Sequence, residues 1–163
     1  MAQVPIVQVY LDKNLTQTDR HDGCPPPATI DTVYVVASGF SSPITDIEYR
    51  IDAYANFEFA VELFPSGFSG LGLTAEGVKV SFGAAIDASD KVVIETIIGL
   101  WFCGCGTPSF PYIEVLPHPA SGKIQATRHS DMAKIEAAGG YNALCGLLPV
   151  EPSTWGKLKA MYR

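Results

Sequence analysis

Apolar and polar residues alternate along much of this chain, and this period of two limits its fold more than any other feature of the sequence. In the run 46–53, Ile47, Tyr49 and Ile51 alternate with charged residues. Successive side chains of a strand point to opposite faces, so this run predicts a strand with one face buried and the other in water. The same alternation predicts strands at 7–11, 57–63 and 78–82.

The run 57–63 carries a specific expectation about its buried face. Its apolar side chains occupy every second position, and two glutamates lie between them. The alternation therefore predicts that one set of side chains points into the core, namely Phe57, Phe59, Val61 and Leu63.

Two longer runs, 30–38 and 92–102, are apolar on both faces, which is typical of strands at the centre of a sheet. Shorter strands are predicted at 113–116 and 123–127. Clusters of Gly, Pro, Asp and Ser separate these runs and indicate turns. Short strands divided by frequent turns predict an all-β fold, a two-sheet antiparallel β-sandwich.

One short helix is predicted near 130–139. Ser130 is a suitable N-cap for residues 131–138, and Gly139 with Gly140 is a suitable stop.

The chain divides into a predicted sandwich domain, 1–148, and a linker with a C-terminal tail, 149–163. The linker begins Pro149-Val150-Glu151-Pro152, a sequence that favours extended backbone. As a helix, the tail that follows would place Trp155, Leu158 and Tyr162 on one face. As a strand, it would place four residues on one side, namely Trp155, Lys157, Lys159 and Met161. A large aromatic residue beside basic ones predicts a peptide that docks on a partner. The alternative is a tail packed on its own domain.

The four cysteines are Cys24, Cys103, Cys105 and Cys145. Cys103 and Cys105 are separated by one glycine, so a bond between them would need a strained ring. We therefore expect each of them to pair with one of the distant cysteines, which predicts two disulfides and an oxidising compartment. A zinc site and a reactive thiol are the alternatives.

The chain has 17 acidic and 11 basic residues, a formal net charge of -6. The absence of a basic face speaks against a nucleic-acid partner. Three of the bases, Lys157, Lys159 and Arg163, lie in the tail, which leaves 17 acids against 8 bases in the preceding residues. No apolar run is long enough to cross a bilayer. The sequence begins without a signal peptide, and its start is compatible with a mature secreted chain to which an initiator Met was added, so we expect an extracellular or cell-surface protein.

No catalytic motif is found. The segment 67–71 does not fit the nucleophile elbow of esterases, because its fifth residue is Leu. Asp12, Asp19 and Asp22 share a polar loop and are candidates for calcium binding, although they do not have the spacing of a known calcium loop. Glu95 interrupts an apolar strand, which predicts either an outward or edge position or a hydrogen-bonded core carboxyl. We therefore expect a protein that is not an enzyme and has no cofactor other than the calcium candidate.

Three segments carry a resemblance to a known group of proteins: the opening 7–18, the stretches 100–103 and 115–119, and the ending 150–163 with its Trp-Gly-x-x-Lys-x-x-Tyr-Arg pattern. They resemble uncharacterised secreted bacterial β-sandwich proteins of cohesin-like or immunoglobulin-like type. The resemblance implies a tail used for sorting or attachment, and it brings no activity and no catalytic residues.

Together these features predict a non-enzymatic extracellular structural or adhesion subunit. Its expected partners are copies of itself or another cell-surface protein, and the predicted contact is the tail or a strand exchanged between subunits. Repetition of that contact would build filaments or a surface layer. The alternative is a monomeric, cohesin-like module that binds carbohydrate or protein.

Overall fold

A computed structural model of the chain describes residues 4–19, 28–53, 57–101 and 112–143, and every regular element in these ranges is a strand. The strands, in chain order, are β1 (Ile6–Tyr10), β2 (Thr29–Ser38), β3 (Ile44–Ala53), β4 (Phe57–Leu63), β5 (Phe68–Leu71), β6 (Val78–Ile86), β7 (Val92–Trp101), β8 (Tyr112–Leu116), β9 (Gln125–Arg128), β10 (Lys134–Glu136), β11 (Ala138–Gly139) and β12 (Tyr141–Ala143).

The strands form two sheets, which confirms the predicted antiparallel β-sandwich. The first sheet has the order β11-β1-β2-β7-β4, and the second has the order β10-β9-β3-β6-β5. Strand β8 pairs with the second half of β3, and β12 pairs with β8. All pairings are antiparallel except that of β1 with β11. The runs 30–38 and 92–102 correspond to β2 and β7, and these strands are indeed central in their sheet.

The core lies between the two sheets and is built from the apolar positions that the alternation predicts. Val7, Val9 and Val33 contribute from the first sheet, and Ile47 and Val80 contribute from the second. All of these side chains are buried. Burial of an aliphatic side chain of this size stabilises a fold by about 1.5–3 kcal/mol, so the paired faces hold the sandwich together.

The alternation in β4 fails after its third residue. Phe57 is buried and Phe59 packs against the core, as predicted. The pairing with β7 then shifts between Phe59 and Val61, so one residue is inserted as a β-bulge. The prediction that Val61 and Leu63 face the core is therefore wrong, because a one-residue shift moves every later side chain to the opposite face. Both side chains are exposed.

The predicted helix near 130–139 is also wrong. Residues from Lys134 to Gly139 form strands β10 and β11, and residues 129–133 form the turn that joins β9 to β10. Met132 has φ of 57°, in the left-handed region that a right-handed helix cannot include. Asp131 accepts a hydrogen bond from the N–H of Ala133 at 3.1 Å and so stabilises the turn instead of the first turn of a helix.

Candidate functional site

The outer face of the first sheet carries a group of aliphatic side chains that we call the apolar stripe: Ile30, Val61, Leu63, Ile98 and Leu100. Ile30 lies opposite Leu100 across β2 and β7, and Val61 lies opposite Ile98 across β4 and β7. Residues paired in this way are on the same face with their side chains in contact range. Ile30 is 71% exposed, Leu63 47% and Val61 44%, so the stripe meets solvent.

The apolar stripe is a product of the bulge in β4. Without the shift after Phe59, Val61 and Leu63 would point inward and Glu62 outward. The sequence carries no local signal for the shift, such as a glycine, and this is why pattern analysis missed these residues. Glu58 lies opposite Leu100 and is exposed, so it places a negative charge at one end of the stripe.

The outer face of the second sheet is polar, and its charged groups bind one another. Asp46 of β3 accepts a hydrogen bond from Thr127 at 2.8 Å and lies 3.5 Å from the ammonium of Lys79 and 3.6 Å from that of Lys134. Burial by itself raises the pKa of Asp46, but the hydrogen bond from Thr127 and the charges of the two lysines outweigh burial and leave the pKa below its usual value. These side chains tie four strands together.

Glu48, also on this face, accepts a hydrogen bond from Gln125 at 2.5 Å. Its burial raises the pKa, whereas hydrogen bonds from Ser121 and Gln125 and the charge of His118 lower it, and the net pKa is below the usual value. The face thus satisfies much of its own polar and charged surface within the sheet.

Glu95 is a fully buried carboxyl group within the core, so of the two predicted alternatives the structure supports the hydrogen-bonded core carboxyl. Its two oxygens accept hydrogen bonds from the hydroxyl of Tyr49 at 2.6 Å and from that of Thr74 at 2.5 Å. Burial, with a smaller contribution from the nearby charge of Glu62, raises the pKa of Glu95 to about 7 despite these two hydrogen bonds. Burial and the carboxyl group of Glu95 likewise raise the pKa of Tyr49.

Asp12 organises the loop that follows β1. Its carboxylate accepts hydrogen bonds from the backbone N–H groups of Asn14, Thr16 and Gln17, at 3.1, 2.8 and 2.6 Å. The bond from Gln17 is the largest cause of a lowered pKa for Asp12. Its oxygens are therefore already used as acceptors within the loop. Asp19 accepts a hydrogen bond from Thr18 at 3.3 Å, and Asp22 lies outside the described residues.

No group of three or more His, Cys, Asp or Glu residues is placed to hold a metal ion within the ranges that the structure describes. A groove beside β4 is lined by two carboxyl groups, Asp52 and Glu58, among apolar side chains. Both groups are exposed, whereas a catalytic acid is usually held in a buried environment that tunes its proton affinity.

The remaining predicted site residues lie outside the described residues. These are the cysteines at 24, 103, 105 and 145 and the tail residues Trp155, Lys157, Leu158, Lys159 and Tyr162. The disulfides, the division at residue 148 and the docking role of the tail stay predictions. In the described part of the chain, no helix has the length and apolar character of a membrane span.

Comparison of the sequence with protein families and with curated proteins finds no match. Comparison of the fold with solved structures finds cohesins. The sixth cohesin of scaffoldin B from Acetivibrio cellulolyticus, solved in complex with a Cel5 dockerin, matches 86% of this chain and 99% of its own, with a TM-score of 0.58 and 15% identity. The cohesin module of a family 33 glycoside hydrolase from Clostridium perfringens matches 88% of this chain and 98% of its own, with a TM-score of 0.56 and 8% identity.

The cohesin CaCohA2 from Clostridium acetobutylicum, whose structure was determined in solution, matches 91% of this chain and 95% of its own. Its TM-score is 0.55 and its identity is 15%. At such identities the likeness concerns the architecture and not the residues that contact a partner. The chain therefore has a cohesin-like β-sandwich fold.

Proposed function

We propose that this chain is a non-enzymatic extracellular module that assembles with copies of itself. The observation that carries the proposal is the apolar stripe, where aliphatic side chains lie together on the outer face of a sheet. Soluble monomers rarely keep a large patch of this kind in water, because covering it removes apolar surface from solvent. The stripe is thus suited to contact an apolar part of another protein chain.

The fold supports a protein partner over a small-molecule substrate. The Acetivibrio cellulolyticus cohesin was solved in complex with a dockerin, and so was a cohesin of Clostridium thermocellum. A flat sheet face is likewise suited to a protein surface, whereas substrates are usually enclosed in a deep cleft. Fold likeness is an analogy, and the surface of this chain carries the argument.

The expected route of assembly is a contact between residues 149–163 of one copy and the body of the next. Such a contact joins two different surfaces, so it does not close on itself in a pair. Repeated from copy to copy, it builds filaments or a surface layer. The excess of acids in the first 156 residues and the bases Lys157, Lys159 and Arg163 give the two surfaces opposite charge.

The test is sedimentation velocity of the intact chain over a series of concentrations, beside a chain that lacks residues 152–163. We expect the intact chain to form species larger than a monomer and the shortened chain to remain monomeric. Circular dichroism of both chains controls for folding. An intact chain that stays monomeric at every concentration contradicts self-assembly, and a shortened chain that assembles equally well contradicts the role of the tail.

A second candidate is a monomeric module that binds carbohydrate, and one observation favours it. The rings of Tyr112 and Tyr141 stack with centroids 5.4 Å apart, and Tyr141 is exposed. Exposed aromatic rings are a surface on which sugar rings stack. A glycan array, repeated with Tyr141→Ala, tests this candidate: binding by a monomeric chain that is lost in the variant would favour it over self-assembly.

A further inference from the structure

Building on the proposed self-assembly, we propose that the apolar stripe of one copy is the surface that receives residues 149–163 of the next copy. The stripe then has a defined occupant, a segment of a second copy with aromatic and basic residues.

Three edge strands of the described sandwich, β4, β5 and β10, are poorly suited to accept a strand from another chain. Strand β4 has the bulge after Phe59 and a charge at Glu58. Strand β5 has four residues, and β10 has three, two of which are Lys134 and Glu136. Bulges, short edges and charges are the features by which sheets avoid edge-to-edge pairing. Of the two predicted routes of assembly, these edges favour docking on a face over exchange of a strand.

The dimensions of the stripe fit a short helix laid across the sheet. Along β7, the stripe extends from Thr96, which pairs with Leu63, to Leu100, which pairs with Ile30. At 3.3 Å per residue this distance is about 13 Å. In a helix, the apolar positions from Trp155 to Tyr162 extend over about 10 Å at 1.5 Å per residue. An amphipathic helix packed on an apolar sheet face is a common way to bury both surfaces.

The charges around the stripe agree with this occupant. Glu58 lies opposite Leu100 at one end of the stripe. Lys157 and Lys159 flank Leu158 in the sequence, so a helix that turns Leu158 toward the sheet keeps both ammonium groups at its sides. A basic segment is thereby attracted to Glu58, while the aliphatic and aromatic side chains supply the buried area.

The length of the link after the described strands allows the segment to reach a second copy. The described chain ends at Ala143, which pairs with Tyr112. Residues 144–154 then link the fold to Trp155, and an extended link of this length reaches up to about 36 Å, more than twice the length of the stripe. Pro149 and Pro152 favour extended backbone in the link. A link of this reach is long enough to place the segment on a neighbouring copy.

The test uses the full-length chain with Val61→Glu, and with Leu71→Glu as the matched control. Leu71 is an exposed leucine at 77%, but it belongs to β5 in the other sheet, so the control adds the same charge outside the stripe. We expect Val61→Glu to raise the concentration at half-assembly about thirtyfold, as for a central contact residue, and Leu71→Glu to leave it unchanged. Equal thermal melting of both variants shows that the fold is retained.

A charge exchange provides an independent measurement. Glu58→Lys alone and Lys157→Glu alone are each expected to weaken assembly, and the two together are expected to restore part of it. The stripe is overturned as the receiving surface if the double variant does not restore assembly and Val61→Glu assembles as well as Leu71→Glu. In that case self-assembly itself still stands if the intact chain assembles.

The same experiment identifies docking within one copy. If the segment docks within one copy, the intact chain stays monomeric. The fluorescence emission of Trp155, assigned by comparison with Trp155→Phe, then shifts to longer wavelength in Val61→Glu but not in Leu71→Glu. That outcome overturns both the proposed receiving copy and the proposed self-assembly.

Discussion

At the scale of single residues, the carboxyl group of Glu95 links the two sheets through the core. It belongs to β7 and accepts a hydrogen bond from Tyr49 of β3. Its second oxygen accepts one from Thr74, whose own N–H donates to Glu62 of β4 at 3.1 Å. A buried carboxyl with two donors is well satisfied as an acceptor, but its charged form still loses the hydration that water provides.

This position predicts a stability that falls as pH rises. The pKa of Glu95 is raised from 4.5 to about 7 in the folded chain, so folding favours the protonated form. The contribution is fully present below pH 4.5 and is lost as pH rises through 7. At 1.36 kcal/mol per unit of pKa, the loss amounts to about 3 kcal/mol by pH 8. Glu95→Gln removes the titration, so urea denaturation at pH 5 and pH 8 is expected to show most of this loss in the parent chain and none of it in the variant.

Glu76→Gln provides the control for the Glu95 prediction, because Glu76 lies in the same loop as Thr74 but is exposed. It is expected to keep the pH dependence of the parent chain. A parent chain whose free energy of unfolding changes no more than that of Glu95→Gln between pH 5 and pH 8 would contradict the prediction.

Asp46 predicts a dependence of the opposite sign. Its pKa is lowered in the folded chain, so its contribution is present above pH 3.8 and is lost as pH falls through the folded pKa. Asp46→Asn is expected to reduce the free energy of unfolding by about 1 kcal/mol at pH 7, since it weakens charged hydrogen bonds, and by less at pH 3. Glu136→Gln, which removes an exposed ion pair with Lys123, is expected to change it little. Equal effects of the two variants in urea denaturation would refute this ranking.

At the scale of strands, the parallel pairing of β11 with β1 ends the first sheet at a crowded position. The N–H of Gly140 donates to the carbonyl of Val7 at 2.8 Å, and the N–H of Val115 donates to the carbonyl of Gly140 at 2.9 Å. A Cβ atom added at Gly139 would overlap the carbonyl oxygen of Val115. Glycine is therefore required for β8 and β11 to approach each other.

Gly139→Ala is expected to lower the free energy of unfolding by about 2 kcal/mol, because the overlap involves backbone that must move. Ala138→Ser, at the neighbouring exposed position of β11, is the matched control and is expected to be near neutral. Thermal unfolding of the two variants measures the difference. A melting temperature for Gly139→Ala equal to that of the control would show that this approach is not needed.

The strands also show where sequence analysis succeeds and where it stops. The buried set of β3, Ile47, Tyr49 and Ile51, is predicted correctly, because a regular strand carries its periodicity unbroken. In β4 one inserted residue reverses the face of everything after it, and the shift is set by pairing with β7, which the sequence of β4 does not contain. For this reason the sequence of β4 does not predict that Val61 and Leu63 join the apolar stripe.

The error over residues 130–139 has a different origin. Ser130 and Asp131 are suited both to the start of a helix and to a turn, since their side chains bind backbone N–H groups in either case. The alternation of Lys134, Ile135 and Glu136 is the signal of a strand, but it is only three residues long. Pairing of β10 with β9 decides between the two structures, and such tertiary contacts override local preference.

At the scale of the whole molecule, the strand ends that neighbour the four cysteines in the sequence lie at one end of the sandwich. Ala28 donates a hydrogen bond to the carbonyl of Trp101 at 2.7 Å, which brings the start of β2 beside the end of β7. Cys24 precedes the first of these positions, and Cys103 follows the second within two residues.

Ala143, two residues before Cys145, pairs with Tyr112, and Ile113 pairs with Ala53. Only residues 54–56 separate Ala53 from Phe57, which pairs with Trp101. The strand ends next to the cysteines at 24, 103, 105 and 145 thus meet at the same end of the fold. The positions of these strand ends permit disulfides between distant parts of the chain, and the pairing itself stays a prediction.

We therefore expect two disulfides in the purified chain, each of which contributes about 3–4 kcal/mol in the chain-entropy model, because each closes a long loop of the unfolded chain. Mass spectrometry after alkylation without reductant is expected to find no modified cysteine, and digestion is expected to yield peptides that join position 24 or 145 to the segment 103–105. Addition of reductant should lower the melting temperature, whereas the same reductant after substitution of all four cysteines by serine should not. Four alkylated thiols in the untreated chain, with a melting temperature indifferent to reductant, would contradict both the disulfides and the oxidising compartment that they imply.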